Sequence, residues 1–243
     1  MIRARTSLFA LILGGSLLLA GTAHADGLAV GTGELPAEAK KSLVKDVTAF
    51  KAAHPEMFDA VRDIQGIRPE VYKTHRNPQP IATLDLKHLG ASALLPMLGA
   101  LALDAPAVML NEKEKTAYVV GLLEASGALR DARGGAVYTA ILESKNKPAE
   151  VLRAAAEAMG RLCGDAELAS LKKHTAASDA LRAHAIRGLG ECRRKESAEH
   201  LATLLGTAPD AATAELIADA LGTVASSWGW KALGAKSEAT AKA

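Results

Sequence analysis

The sequence predicts an all-α protein built as an α-solenoid, a superhelix of stacked antiparallel helix pairs. Aromatic residues make up only 3% of the chain, although 49% of it is hydrophobic. That hydrophobic fraction comes mainly from alanine and leucine, which are strong helix formers. Apolar residues also recur at helical spacing, and one helix-pair pattern recurs about every 30 residues along the chain.

The N-terminal segment, 1–25, predicts a signal peptide. Arg3 and Arg5 precede an apolar run over residues 8–20, and the small-residue pattern AHA ends at Ala25. These are the basic region, apolar region and cleavage signal of a secretory leader. The run is shorter than the ~20 residues of a membrane-spanning helix, so an uncleaved anchor is the less favoured alternative. Cleavage before Asp26 predicts a periplasmic or secreted protein with no stable membrane insertion.

The charge balance argues against partners that need a basic surface. The chain carries 29 Lys and Arg against 27 Asp and Glu, and the leader holds two arginines and no acid. The mature chain is therefore neutral at 27 against 27. Nucleic-acid binders are expected to carry a basic face, so no nucleic-acid partner is predicted.

The pattern predicts an N-terminal extension over residues 26–85 and a repeat domain over 86–234. Within the extension, residues 26–36 are glycine-rich and predict a loose lead. Residues 37–64 predict helix with a break near His54-Pro55. Residues 65–85 contain three prolines and predict an irregular connection. A disordered tail is expected at 235–243.

The repeat domain opens with a segment that predicts one long helix over residues 86–106. Leu94, Leu98 and Leu101 share one face of it at i, i+4 and i+7. Further helical segments follow, separated by short polar or glycine-containing turns. Turns of that length suit antiparallel neighbours.

Three segments align as copies of one helix, which we term the second helix of each pair. They are VLRAAAEAMGRL at 151–162, LRAHAIRGLGEC at 181–192 and TAELIADALGTV at 213–224. Gly160 and Gly190 coincide at an offset of 30, and Gly222 follows at an offset of 32. A small residue at one place in every copy predicts close stacking, which would bury each apolar stripe against the next pair.

The first helices of the pairs repeat in step. Leu171, Leu201 and Leu233 follow the same two offsets as the glycines, and Trp230 corresponds to Ala198 and Leu168. An earlier copy at 118–129 places Tyr118 on Ala155 and Leu122 on Met159, at an offset of 37. An ordinary helical bundle with accidental similarity is the alternative, and the shared offsets argue against it.

The repeats resemble HEAT repeats, including the HEAT-like repeats of the phycobilisome lyase type. ALLPMLGALALD at 93–104 is similar to the first-helix pattern of that family, and the copies at 151–162 and 181–192 are similar to the second-helix pattern. The arginine of the family pattern is present as Arg153 and Arg182. The resemblance implies an α-solenoid whose second helices line a concave, partner-binding face.

Cys163 and Cys192, the two cysteines of the chain, are expected to form a disulfide. Both lie at the ends of second helices in neighbouring pairs, and a secreted chain meets an oxidising compartment. Packed helices lie ~8–10 Å apart, but the offset of one position between the cysteines brings them closer. The alternative is a buried thiol at Cys192 and a free Cys163.

The pattern predicts no enzyme, cofactor or metal site. The histidines after the leader form no zinc spacing. The HEAT-like enzyme deoxyhypusine hydroxylase binds iron with His-Glu pairs, whereas the adjacent pair here is Glu199-His200, in reverse order. Trp228 and Trp230 are expected to cap the last pair rather than to bind a ligand.

Charged residues on the second helices are the candidate partner-binding face. The set is Arg153, Glu157, Arg161, Arg187, Glu191 and Arg194. We expect a non-catalytic scaffold of the bacterial cell envelope that docks a protein or peptide there, with charge complementarity at the rim. A plain solvated face is the alternative for these side chains. The alternative function is an enzyme-associated, lyase-type role with a bound tetrapyrrole or other small molecule, for which only Cys163 could serve as nucleophile.

Overall fold

The computed structural model describes residues 27–31, 33–64, 81–105, 110–176 and 180–226. This part of the chain is all-helical and contains no strand. Its α-helices are α1 (Ala37–Ala53), α2 (Pro55–Arg62), α3 (Ile81–His88), α4 (Leu94–Ala102), α5 (Glu112–Ala128), α6 (Gly135–Glu143), α7 (Ala149–Leu162), α8 (Asp165–Thr175), α9 (Arg182–Glu191), α10 (Lys195–Gly206) and α11 (Ala211–Ala225). Short 3-10 turns at Ala91–Ala93 and Ala132–Gly134 precede α4 and α6. The leader, the cleavage position at Ala25 and Asp26, and the C-terminal residues 227–243 lie outside the described residues.

Local sequence signals account for several helix ends. The Asn111 side chain accepts hydrogen bonds from the backbone N–H groups of Lys113 and Glu114, both at 3.0 Å. The Glu114 carboxylate accepts one in return from the Asn111 N–H, which completes a capping box at the start of α5. Asp210 caps α11 through the Thr213 N–H at 2.7 Å. That hydrogen bond stabilises the ionised carboxyl and lowers the pKa of Asp210.

The helices pack in the order that the repeat predicts. α5 contacts α3 on one side and α7 on the other, and α9 in turn contacts α7 and α11. The helices α3, α5, α7, α9 and α11 therefore form one continuous layer. α6, α8 and α10 each pack against the helix that follows them in the chain. The all-α prediction is confirmed.

The core residues expected from the pattern are buried. Leu94, Leu98 and Leu101 of α4 are at most 2% exposed. Leu171 and Leu201, the equivalent leucines of α8 and α10, are fully buried. The position of Leu233 falls on residues that the structure does not describe.

The lead over residues 26–36 was expected to be loose, and this prediction is wrong for its described part. The N–H groups of Leu28 and Ala29 donate to the carbonyls of Ala100 and Leu101, both at 2.9 Å. Val30 is fully buried. The segment caps the C-terminal end of α4, whose last carbonyls would otherwise lack hydrogen-bond partners.

The helix boundaries near residue 86 also differ from the prediction. α3 begins at Ile81, inside the stretch expected to be irregular, directly after Pro80. The long helix expected over 86–106 is two helices, because Gly90 adopts φ +72° between them.

The break at His54-Pro55 is confirmed, since α1 ends at Ala53 and α2 begins at Pro55. Both helices pack against α4. The buried Tyr118 hydroxyl of α5 donates a 2.6 Å hydrogen bond to the Val61 carbonyl of α2. The N-terminal extension is thus joined to the repeat domain through its core.

Candidate functional site

Small residues bring the second helices together at corresponding places. A Cβ atom on Gly127 would lie 2.7 Å from the Cβ of Ala158. One on Gly190 would lie 3.1 Å from the Cβ of Ala220. One on Gly160 would collide with the carbonyl oxygen of Gly188. The close stacking predicted from the repeated glycine is confirmed across these three joints.

These contacts correct the alignment of the earliest copy. Gly127 meets α7 as Gly160 meets α9, so Gly127 is the equivalent of Gly160 in α5. The expected offset of 37, which matched Tyr118 to Ala155, is wrong. The apolar spacing is similar in both registers, and only the contact with Ala158 distinguishes them.

A chain of charged side chains crosses three helices of the layer. Arg153 of α7 lies 3.7 Å from the carboxylate of Glu124 in α5 and 2.9 Å from that of Glu157. Arg161 follows, 3.4 Å from Glu157 and 3.4 Å from Glu191 of α9. We term this set, Glu124 to Glu191, the charged ladder.

Burial along the charged ladder varies. The Glu124 side chain is 9% exposed, whereas that of Arg153 is 37% exposed and that of Glu191 is 27% exposed. Glu124 also accepts a 2.8 Å hydrogen bond from the hydroxyl of Thr83 in α3. A buried carboxylate needs such partners, because an unpaired buried charge is costly. The ladder is therefore anchored at its α3 end, and it is more exposed at Arg153 and Glu191 than along the rest of α7.

The structure brings four of the six predicted face residues together in this ladder: Arg153, Glu157, Arg161 and Glu191. Arg187 is exposed on α9 and makes no ion pair with any residue in the described ranges. Arg194 departs from the prediction, because α9 ends at Glu191. It precedes α10 and contacts Asp165 at 2.6 Å and Glu196 at 3.1 Å. Arg194 therefore belongs to the turn and not to the face.

Sequence reasoning missed Glu124, the buried end of the ladder. The signal for Glu124 was a lone acidic residue within the apolar run of α5.

Sequence reasoning also missed Arg130 and Arg193, which follow α5 and α9. Arg130 donates to the carbonyl of Arg161, and Arg193 donates to that of Thr223. Burial and the neighbouring arginines lower the pKa of Arg130, and burial likewise lowers that of Arg193.

Cys163 and Cys192 lie at disulfide distance, with Cα atoms 5.3 Å apart. Cys163 ends α7 in the left-handed conformation, φ +47°, which turns its side chain toward α9. Cys192 is fully buried. The cysteines therefore join adjacent second helices, as their spacing predicts.

No family model, curated protein or solved structure matches this chain. The contacts and charges of its own residues are therefore the basis for a function.

A cleft of about 260 Å³ lies between α1, α2, α4 and α5. Val47, Phe58 and Pro96 form apolar walls, and the rim carries an ion pair between Lys51 and Asp104 at 3.6 Å. Neither cysteine lines this cleft.

The described histidines make separate contacts. His174 Nε2 lies 3.3 Å from Glu143, and His200 Nε2 lies 2.7 Å from the hydroxyl of Thr175. Burial lowers the pKa of His200, as does the positive charge of Lys172. Within the described ranges, no three His, Cys, Asp or Glu side chains converge on a common point. No helix there has the length and apolarity needed to cross a bilayer.

Proposed function

We propose that the protein is a non-catalytic scaffold of the bacterial cell envelope, a HEAT-like α-solenoid that docks a protein or peptide on its layer of second helices. One observation carries this proposal. The second helices lie side by side and hold their charged side chains in a ladder that crosses α5, α7 and α9. Such a surface is continuous and rigid, which suits docking of an extended partner.

The charges within the ladder shape what would dock there. Arg153, Glu157 and Arg161 are already paired with one another or with neighbouring helices, so most of the charge of the ladder is neutralised internally. Arg187 adds an exposed positive charge beside it. Burial is the main cause that lowers the pKa of the nearby His184, and the positive charges of Arg187 and Arg153 lower it further. We therefore propose that the partner, a protein or peptide segment placed over α7 and α9, contributes a carboxylate that pairs with Arg187.

The lyase-type alternative gains no support from these contacts. Its nucleophile would be Cys163, which lies at disulfide distance from Cys192. A cysteine in a disulfide has no thiolate with which to attack. Titration of the native protein with a thiol reagent separates the two proposals, because the lyase-type role requires a reactive Cys163.

Photo-crosslinking tests the docking proposal directly. A benzoylphenylalanine placed at position 187 should give adducts in the cell envelope. The same residue at position 195 should give none. Lys195 begins α10, which is one of the first helices, and its side chain is 66% exposed. Unmodified protein in excess should compete for the adduct, whereas Arg187→Glu should compete poorly. Equal adducts at both positions, or equal competition by both proteins, would contradict the proposal.

The competitor needs an intact fold for this comparison. Arg187 is exposed and unpaired within the described ranges, so its reversal should change the free energy of unfolding by no more than about 0.5 kcal/mol. Urea unfolding of Arg187→Glu beside the unmodified protein checks this.

A further inference from the structure

Three arginine side chains meet where α5, α7 and α9 end, along one edge of the layer. Arg130 follows α5, and its guanidinium donates a hydrogen bond to the carbonyl of Arg161. Arg161 lies in the last turn of α7, with its Nε 3.4 Å from the carboxylate of Glu191 in α9. Arg193 follows α9 and donates to the carbonyl of Thr223 in α11. We term Arg130, Arg161 and Arg193 the arginine cluster.

Two of the three positive charges in this cluster have no ion pair. Arg161 pairs with Glu157 and Glu191, so the carboxylate of Glu191, which faces the cluster, is already engaged. Arg130 and Arg193 make no ion pair with any residue in the described ranges, and their hydrogen bonds go to backbone carbonyls. Burial is the main cause that lowers the pKa of Arg130, and the charges of Arg193 and Arg161 lower it further. The three guanidinium groups are therefore close enough to repel one another.

The cluster also contains buried donors without an acceptor. Arg161 Nη1 and Arg193 Nε are both buried, and neither has a hydrogen-bond partner in the part of the chain that the structure describes. A buried donor left without an acceptor costs free energy, so native proteins normally satisfy such groups with protein, water or a ligand. Capping of the helix ends uses one nitrogen of Arg130 and one of Arg193, and it leaves these donors unused. The cluster thus lacks an acceptor that its neighbours do not supply.

The cysteine pair holds this arrangement in place. Cys163 follows Arg161 by two residues, and Cys192 directly precedes Arg193. With their Cα atoms 5.3 Å apart, the cysteines fix the end of α7 against the end of α9. The two arginines with unused donors are therefore positioned across a rigid joint, which lowers the cost of ordering them around a ligand.

We propose that the arginine cluster binds a phosphate group. Guanidinium groups match phosphate oxygens in a bidentate geometry, and phosphate combines several acceptor oxygens with a charge near the two that lack an ion pair. Arg161 Nη1 and Arg193 Nε donate to its oxygens, and Arg130, which is exposed, moves to admit the ion and supplies the third guanidinium. The site is separate from Arg187, so docking of a partner there and binding of phosphate here can each fail without the other.

Isothermal titration calorimetry of the purified protein with inorganic phosphate, at an ionic strength held constant with NaCl, tests the site. We expect one phosphate per chain. Arg130→Gln and Arg193→Gln should each weaken binding about ten-fold, because each removes a charge-assisted hydrogen bond. Arg133→Gln is the matched control, since it removes an arginine three residues further on whose partner is Asp131. It should leave the affinity unchanged.

A lipid headgroup is the other source of a phosphate group. Sedimentation with vesicles of phosphatidylcholine and phosphatidic acid in equal parts tests it with the same three variants. Vesicle binding that Arg130→Gln and Arg193→Gln weaken, without a response to inorganic phosphate, would support the site and assign the phosphate to a lipid.

Circular dichroism checks that each variant is folded. Should a glutamine variant unfold, Arg130→Lys keeps the positive charge but loses the planar fork, and it should bind with an affinity between those of the unmodified protein and a protein without the site. The proposal is overturned if neither probe binds the unmodified protein. It is also overturned if Arg133→Gln weakens binding as much as the changes within the cluster.

Discussion

Single small residues set how closely the second helices approach. At Gly160 the neighbouring group is the backbone carbonyl of Gly188, which cannot rotate away as a side chain can. Gly188 itself lies against the carbonyl of Ala156, so the contact is close in both directions. Protein interiors tolerate little added volume. The glycines at this joint are therefore required by packing rather than by backbone conformation.

Gly160→Ala should lower the free energy of unfolding by about 3 kcal/mol, because the added methyl forces α7 and α9 apart. Urea unfolding followed by circular dichroism measures this change. Gly206→Ala is the control, since it adds the same methyl in open space and should be neutral or stabilising by about 0.5 kcal/mol. Similar destabilisation by both variants would show that helix stacking at Gly160 is not the cause.

At the scale of helices, three successive joints are closed at the same edge of the layer. Arg130 joins the end of α5 to the end of α7, and Arg193 joins α9 to α11. Cys163 lies one repeat after Arg130 and one repeat before Arg193, and it bridges the joint between them, α7 to α9. The cysteine pair thus takes the place that an arginine-to-carbonyl hydrogen bond takes on either side.

Reduction of the cysteine pair should lower the free energy of unfolding by about 3 kcal/mol, since the closed loop spans about 30 residues. Urea unfolding with and without dithiothreitol measures the difference. The double variant Cys163→Ser, Cys192→Ala should show no response to the reductant. Two titratable thiols in the native protein before reduction would contradict the prediction.

At the scale of the whole molecule, the N-terminal segments are part of the packed body. Leu28 and Ala29 are bonded to the end of α4, only a few residues after the proposed cleavage position. Processing before Asp26 leaves this contact intact.

We predict that the protein purified from the cell envelope begins at Asp26, which intact mass and N-terminal sequencing would show. Ala23→Asp should block processing, because the cleavage signal requires small residues at this position. The blocked chain should stay with the membrane fraction. Recovery of the unmodified protein with residues 1–25 still attached would contradict the assignment.

The local pattern predicted the helices, their pairing and the place of the cysteines, because apolar spacing and repeated small residues depend only on neighbouring positions in the chain. The break at Pro55 and the stacking of Gly160 and Gly190 follow from the same signals. The helix α3 was missed because its buried apolar positions, Ala82 and Leu86, span barely more than one turn. A stripe that short has no detectable period.

Tertiary structure alone decided which charges meet. Glu124 and Arg153 belong to helices that α6 separates in the chain, and no local period relates them. Tertiary structure also decided the position of Arg194. Because α9 ends at Glu191, Arg194 lies beyond the candidate face. The sequence by itself determined the helical repeat, because each segment carries its own apolar periodicity. The charged ladder depends on how neighbouring helices align, which is settled only when their backbones pack.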